Sequence, residues 1–291
     1  WAQRGNPGWS YDDVLPYFRK SEDFQLTVTK GDDGYHNTGG PMHIDQPRTR
    51  YPALDAIIDA AEECGFPRND DYNGAGQFGF GYYQLNQKQG RRQSSYRAFV
   101  KPVEKRQNLT VIKGARAKQL LFDSSDMCKA VGVRARIYGK RKDIFAKSEV
   151  IVCAGSIQSP QLLELSGIGQ PDRLKALGIE VRCESKGVGE NLQDHYLTRL
   201  TWELTKPLSL NQHTRGVKLL KEVARYLISQ RGSLSMPAGI LGGFVKSDPA
   251  LDEPDIQFLI AHASFANPAK RIFDSFSGLS IGPNQSRPHS R

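Results

Sequence analysis

The run Glu149-Val150-Ile151-Val152-Cys153-Ala154-Gly155 constrains the fold more than any other stretch of the chain. Its core is continuously apolar rather than alternating, the pattern of a strand buried on both faces of a parallel sheet. The run ends in two small residues. With no Cβ at Gly155, a ligand can approach the backbone closely, and in doubly wound sheets ligands lie beyond the carboxyl ends of such strands. Ser159-Pro160 then reads as an N-cap and a first-position proline, opening a helix over Gln161–Ser166 that stops at Gly167. The free N–H groups of a helix start favour an anion such as a pyrophosphate. A tight strand-to-helix connection with no ligand carries the same local pattern, so the residues by themselves leave both readings open.

The surroundings are of a different kind. Leu109–Ile112 and Lys118–Phe122 predict a strand bent at Gly114, Ala130–Tyr138 a second and Asp143–Lys147 a third. Turns at Asp123–Asp126 and Gly139-Lys140 join them into a three-stranded antiparallel meander. Pro171 opens a further helix and Gly178 closes it. Near the start, Ser10 can cap a helix carrying Val14, Leu15, Tyr17 and Phe18, with Pro16 in or near its first turn. Residues 52–64 place Leu54, Ile57, Ile58 and Ala61 at helical spacing before Gly65. Residues 70–93 read as a long ordered loop with a short strand. Later come an amphipathic helix with Val217, Leu220, Val223, Ala224 and Leu227 on one face, and strands at Ile240–Lys246, Asp255–Ala263 and Ser277–Ile281. The fold class is therefore α/β, in a mixed α+β form.

A net charge of +9 raises the possibility of a polyanionic partner. The Lys and Arg residues are scattered, however, and the one tight run, Lys140-Arg141-Lys142, is expected in a charged hairpin turn. Solvated surface is the better reading than nucleic-acid binding. Cys64, Cys128, Cys153 and Cys183 form no C-x-x-C pair, which favours reduced cytoplasmic thiols over a disulfide framework or zinc site. The histidines show no metal-ligand spacing, and no apolar stretch approaches the ~18 residues of a membrane span. Gly74-Ala75-Gly76-Gln77-Phe78-Gly79 has G-x-G-x-x-G spacing, but no buried strand precedes it and no capped helix follows.

Several strings now converge. Gly155-Ser156-Ile157-Gln158-Ser159-Pro160-Gln161-Leu162-Leu163-Glu164-Leu165-Ser166-Gly167-Ile168-Gly169 resembles the second signature of the glucose–methanol–choline (GMC) oxidoreductases. Gly5-Asn6-Pro7-Gly8-Trp9-Ser10, Gly90-Arg91-Arg92-Gln93-Ser94, Arg106-Gln107-Asn108-Leu109-Thr110-Val111 and Gly187-Val188-Gly189-Glu190-Asn191-Leu192-Gln193-Asp194-His195 are similar to further family stretches, in the family's order. The resemblance is good to about residue 200 and looser beyond.

The resemblance implies an FAD-dependent oxidoreductase acting on an alcohol CH–OH group, with a small-molecule alcohol as substrate and an electron acceptor that stays open. It implies part of a doubly wound FAD-binding domain with its β-meander, and part of a substrate domain with an antiparallel sheet. On that basis residues 1–107 are expected to hold FAD-proximal and substrate-domain segments, 108–197 part of the FAD domain, and 198–291 part of the substrate domain. Ala117 falls where the family hydrogen-bonds the FAD adenine through the backbone, and Ala154 and Gly155 fall beside the adenosine and pyrophosphate. Asp194 and His195 belong to a loop shaping the cofactor site. Leu259 stands where choline-oxidising members tend to carry histidine, which points to another alcohol, and His262 faces the other way as a surface or core polar residue. The resemblance also implies an internal fragment, inactive alone, without the dinucleotide fingerprint or the catalytic histidine, for which His289 is no substitute. A non-catalytic binding module on the same scaffold is the alternative.

Overall fold

The computed structural model describes residues 1–25 and 34–288; His289 lies outside the described residues. Helix α1 spans Tyr11–Ser21 and opens on a capping box, with Ser10 Oγ accepting from the Asp13 N–H at 3.2 Å and Asp13 Oδ2 accepting from the Ser10 N–H at 3.0 Å. Pro16 sits inside the helix, beyond the first turn. Helix α2 is Pro52–Glu63, and strand β1 is Gly79–Tyr82. Strands β2 (Gln87–Lys88) and β3 (Arg91–Arg92) form a hairpin. Then come β4 (Ala115–Phe122), β5 (Ala130–Ile137), β6 (Lys140–Phe145), α3 (Gly155–Leu165) and α4 (Pro171–Ala176). The last third holds β7 (Leu200–Glu203), α5 (Gly216–Ser229), β8 (Gly239–Val245), β9 (Ile256–Ala261) and β10 (Gly278–Gln285).

The chain divides into two compact units, one of Trp1–Lys105 with His195–Arg287 and the other built on Arg106–Asp194. The first unit is organised by a five-stranded sheet in the order β7-β10-β9-β8-β1, every neighbouring pair antiparallel. Helix α2 lies on it because Leu54, Ile58 and Ala61 recur on one helical face, and they pack with Phe80, Tyr82, Ile240, Ile260 and Leu279 as one core. The Tyr82 hydroxyl donates to Asp55 Oδ1 at 2.9 Å, pinning helix to sheet at the rim. On β1, a Cβ at Gly81 would run into the Asn69 carbonyl, so the close approach of that loop requires glycine.

The second unit contains the expected meander, in the order β4-β5-β6. Its second turn is Tyr138-Gly139, with φ of 45° and 86°, a two-residue hairpin turn matched to strand twist. This corrects two expectations. Lys140–Lys142 lie within β6 rather than in the turn, and the ladder begins at Ala115, leaving Leu109–Ile112 outside any strand. Helix α3 is tied to β4 through Ser166, whose Oγ accepts from the Leu120 N–H at 2.8 Å and donates to the Leu162 carbonyl at 2.6 Å.

The largest correction concerns Glu149–Gly155. These residues form no strand, and Ile151 is 74% exposed. A strand buried on both faces needs ladder partners and apolar layers on each side, and the described part of this unit offers the antiparallel meander, two helices and a two-residue parallel pairing of Ile168–Gly169 with Cys183–Glu184, none of which pairs with this run. The following helix also starts earlier than the Ser159-Pro160 signal indicates, at Gly155, with Pro160 inside it. Ser159 does serve the helix start, but by reaching back: its Oγ accepts from the Ala154 N–H at 3.1 Å.

Helix α5 turns an unexpected face inward. Val217, Leu220 and Leu227 are exposed, whereas Glu222 is buried. Its Oε2 accepts from the Ser233 N–H at 2.8 Å and the Ser233 hydroxyl at 2.7 Å. The hydrogen bonds satisfy the buried carboxylate and tie the helix to the Ser233 turn. Among the described residues no helix is long and apolar enough to cross a membrane.

Leu54 anchors the first unit. Leu54→Ala is expected to lower stability by about 2–5 kcal/mol through lost burial and a residual cavity, read from the shift in urea midpoint.

Candidate functional site

Gly155 has φ of +88°, in the region that glycine alone adopts freely, and nothing lies within 4 Å of where its Cβ would be. It stands at the head of α3, whose first-turn N–H groups have no partner inside the helix. Beside that start a groove of about 620 Å³ runs between the helix and the Gly187–Gln193 segment. Ser156, Ile157 and Glu164 line one wall, and Gly189, Glu190 and Asn191 the other. Gln170 Nε2 donates to Glu190 Oε1 at 2.9 Å, and Arg173 bridges Glu164 (3.4 Å) and Glu190 (3.9 Å). A Cβ at Gly189 would press on the Glu164 carboxylate, so glycine there lets the segment close on the helix.

The three residues singled out from the sequence all belong to this unit. Ala154 and Gly155 are exposed at the head of α3. Ala117 is exposed on β4, opposite Ala135, and a register shift follows it before Gln119. Because β4 is an outer strand of the meander, one of its edges carries ladder groups with no strand partner among the described residues. The contact joining β4 to α3 runs through Leu120 and Ser166 and not through Ala117. Glu164, Arg173 and Glu190 escaped the sequence reading as groove residues. The two acids sit within matched family strings, yet a charge at helical or loop spacing gives no sign of facing a groove.

In the first unit, Leu259 is 40% exposed while His262 is 1% exposed, on the buried side. His262 Nδ1 lies 2.9 Å from the Ala238 carbonyl and donates to it; the buried Nε2 has no hydrogen-bond partner. The ring stacks on Tyr51 at 4.0 Å. Burial pushes the His262 pKa down to about 4, with the His213 charge adding to the effect and the Ala238 bond opposing it. His36 is the contrasting case. Burial would lower its pKa, but hydrogen bonding to Glu22 and the charges of Asp71 and Glu22 outweigh this and raise it.

The family model described as GMC oxidoreductase matches residues 1–197. The chain belongs to the GMC oxidoreductase family. It is 34% identical over 294 residues to an oxygen-dependent choline dehydrogenase of Photobacterium profundum, covering 100% of this chain and 50% of that protein. It is 36% identical over 258 residues to the mitochondrial choline dehydrogenase of Mus musculus, covering 89% of this chain and 42% of the mouse protein. Among solved structures, pyridoxine 4-oxidase from Mesorbium loti superposes with a TM-score of 0.78 at 27% identity, over 98% of this chain and 51% of that one. Formate oxidase superposes with a TM-score of 0.85 at 21% identity, over 98% and 54%, a likeness of fold. The chain thus spans about half the length of the relatives it matches.

Membership makes FAD the cofactor to be fitted. The open step at Gly155 and the free N–H groups of α3 suit a phosphate. The carboxylates of Glu164 and Glu190 repel one and accept instead from hydroxyl groups. The open helix start is thus chemically compatible with the phosphate of a dinucleotide, and the groove lining with hydroxyl donors.

For His262 the sign of the pH effect is fixed. An imidazole that protonates less readily folded than unfolded makes stability fall as pH drops from 6.5 towards about 4. The loss is expected to approach about 3 kcal/mol, measured as urea midpoint against pH, and His262→Gln should flatten that slope.

Proposed function

We propose that this chain supplies the adenine-side cofactor contacts, and part of the substrate-pocket wall, of an FAD-dependent enzyme oxidising an alcohol CH–OH group. The observation that carries the reading is the open, left-handed Gly155 at the head of α3 beside a groove, in a chain whose first 197 residues match the family model. When bound, the flavin supplies the acceptor for the hydride that leaves the carbinol carbon.

The residues of this chain bind and orient. The backbone of Ala117 recognises the adenine, which is why a small side chain is tolerated there. Ala154 and Gly155 admit the adenosine and pyrophosphate because neither projects bulk. Asp194 and His195 shape the loop that follows the groove. The exposed Leu259 belongs to the pocket wall and removes a polar group that a choline-specific wall would use, so the substrate is an alcohol other than choline. His262 is not assigned as the base: its one paired nitrogen is committed to Ala238, and it is too buried to reach a substrate.

Two substitutions separate backbone recognition from side-chain recognition. In the full-length protein, Gly155→Val is expected to abolish copurifying flavin absorbance while far-ultraviolet circular dichroism stays unchanged, and Ala117→Val is expected to keep the flavin. Full flavin content in the Gly155 variant would remove this reading.

A further inference from the structure

The first unit holds a second built cavity, assembled by glycine and turn chemistry. The β2–β3 hairpin closes through Gln89-Gly90, with φ of 51° and 69°. A Cβ at Gly90 would run into the carbonyl of Gln230, the residue that caps α5, so the hairpin tip can seat against the end of that helix only as glycine. Between them lies a cavity of about 750 Å³, within the range of small-molecule pockets. Leu85, Leu234 and Met236 give it apolar wall, and Arg92, Ser94 and Tyr226 line both it and an adjoining groove of about 430 Å³ that also carries Arg91 and Arg97.

One feature of this cavity asks for a ligand. No acidic side chain lines either space, and among the described residues Arg91, Arg92 and Arg97 have neither an ion pair nor a hydrogen bond to a carboxylate. Three guanidinium groups around one groove repel one another, and a shared anion relieves that repulsion through forked hydrogen bonds. Gln87, which lines the cavity and is only 3% exposed, is committed to the wall itself. Its Nε2 donates to the Gln46 carbonyl at 2.8 Å, but its buried Oε1 has no partner.

We infer that this cavity binds a small organic anion, its carboxylate or phosphate held by Arg91, Arg92 and Arg97. The anion sits at the arginine mouth and the organic body lies inside, against Leu85, Leu234 and Met236. The inference is independent of the flavin reading, because its readout is binding and not turnover.

Calorimetric titration of the full-length protein with a matched set tests it: gluconate for the carboxylate, sorbitol phosphate for the phosphate, neutral sorbitol, and choline as the cation. At least one of the two anions should bind about tenfold or more tighter than sorbitol or choline, and added salt should weaken that binding. Which anion binds identifies the headgroup. Arg92→Ala, on an exposed side chain, should erase the preference for the anion. Arg97→Gln should weaken it as well, so that a folding defect in one variant cannot mimic the result. Equal binding of sorbitol and both anions, binding of choline as tight as that of the anions, or unchanged anion affinity in both arginine variants would overturn the inference.

Discussion

The seating of α2 on the five-stranded sheet is the contact on which the larger unit depends. Leu54 and Ile58 from the helix meet Ile240 and Ile260 from adjacent strands and Phe80 from the edge strand, and no water reaches the centre of that cluster. Strands distant in sequence are brought together here, since β1 pairs with β8 across some 160 residues of chain. Antiparallel pairing alone is marginal without an apolar face to cover. The helix supplies that cover, and β8 and β9 keep their register because a slip of one residue would turn Ile260 outward. Everything placed on the sheet, from the exposed Leu259 to the buried His262, inherits its orientation from this packing.

Some of this was legible in the residues and some was not, for reasons that differ element by element. The helix over residues 52–64 and the meander were readable because their apolar periodicity and turn residues act locally. The strand positions of β8, β9 and β10 were readable for the same reason. Their order in the sheet is a tertiary fact, and the pattern within each strand does not encode it. Glu149–Gly155 misled because a continuous apolar run reports a preference for burial and says nothing about whether partners exist to provide it. Helix α5 misled in the opposite way: its apolar stripe is present but exposed, and the face turned inward carries Glu222 in a satisfied contact with Ser233.

The groove illustrates the same division. Gly155 was identifiable from its neighbours, as a glycine between an apolar run and a helix, and the structure gives it a conformation that suits close approach. The opposite wall could not be found from spacing, because it depends on the Gly187–Gln193 segment folding back along α3. Nor could the arginine-lined cavity, whose walls come from a hairpin, a helix end and a loop separated by more than a hundred residues. In the sequence Gly90-Arg91-Arg92 is only a turn beside two charges. The Gln230 carbonyl that Gly90 must clear, and the unpartnered amide oxygen of Gln87, become visible only in three dimensions.

The inner face of α5 has a further consequence. A helix fastened by a carboxylate to one serine turn is held by a bond that acid can cancel, whereas a helix fastened by leucines is held at any pH. Neutralising Glu222 would free the segment without disturbing the α2 core. The oily stripe it already shows to solvent would then be mobile as well as exposed, a change that begins only in acid stronger than that in which His262 starts to cost stability.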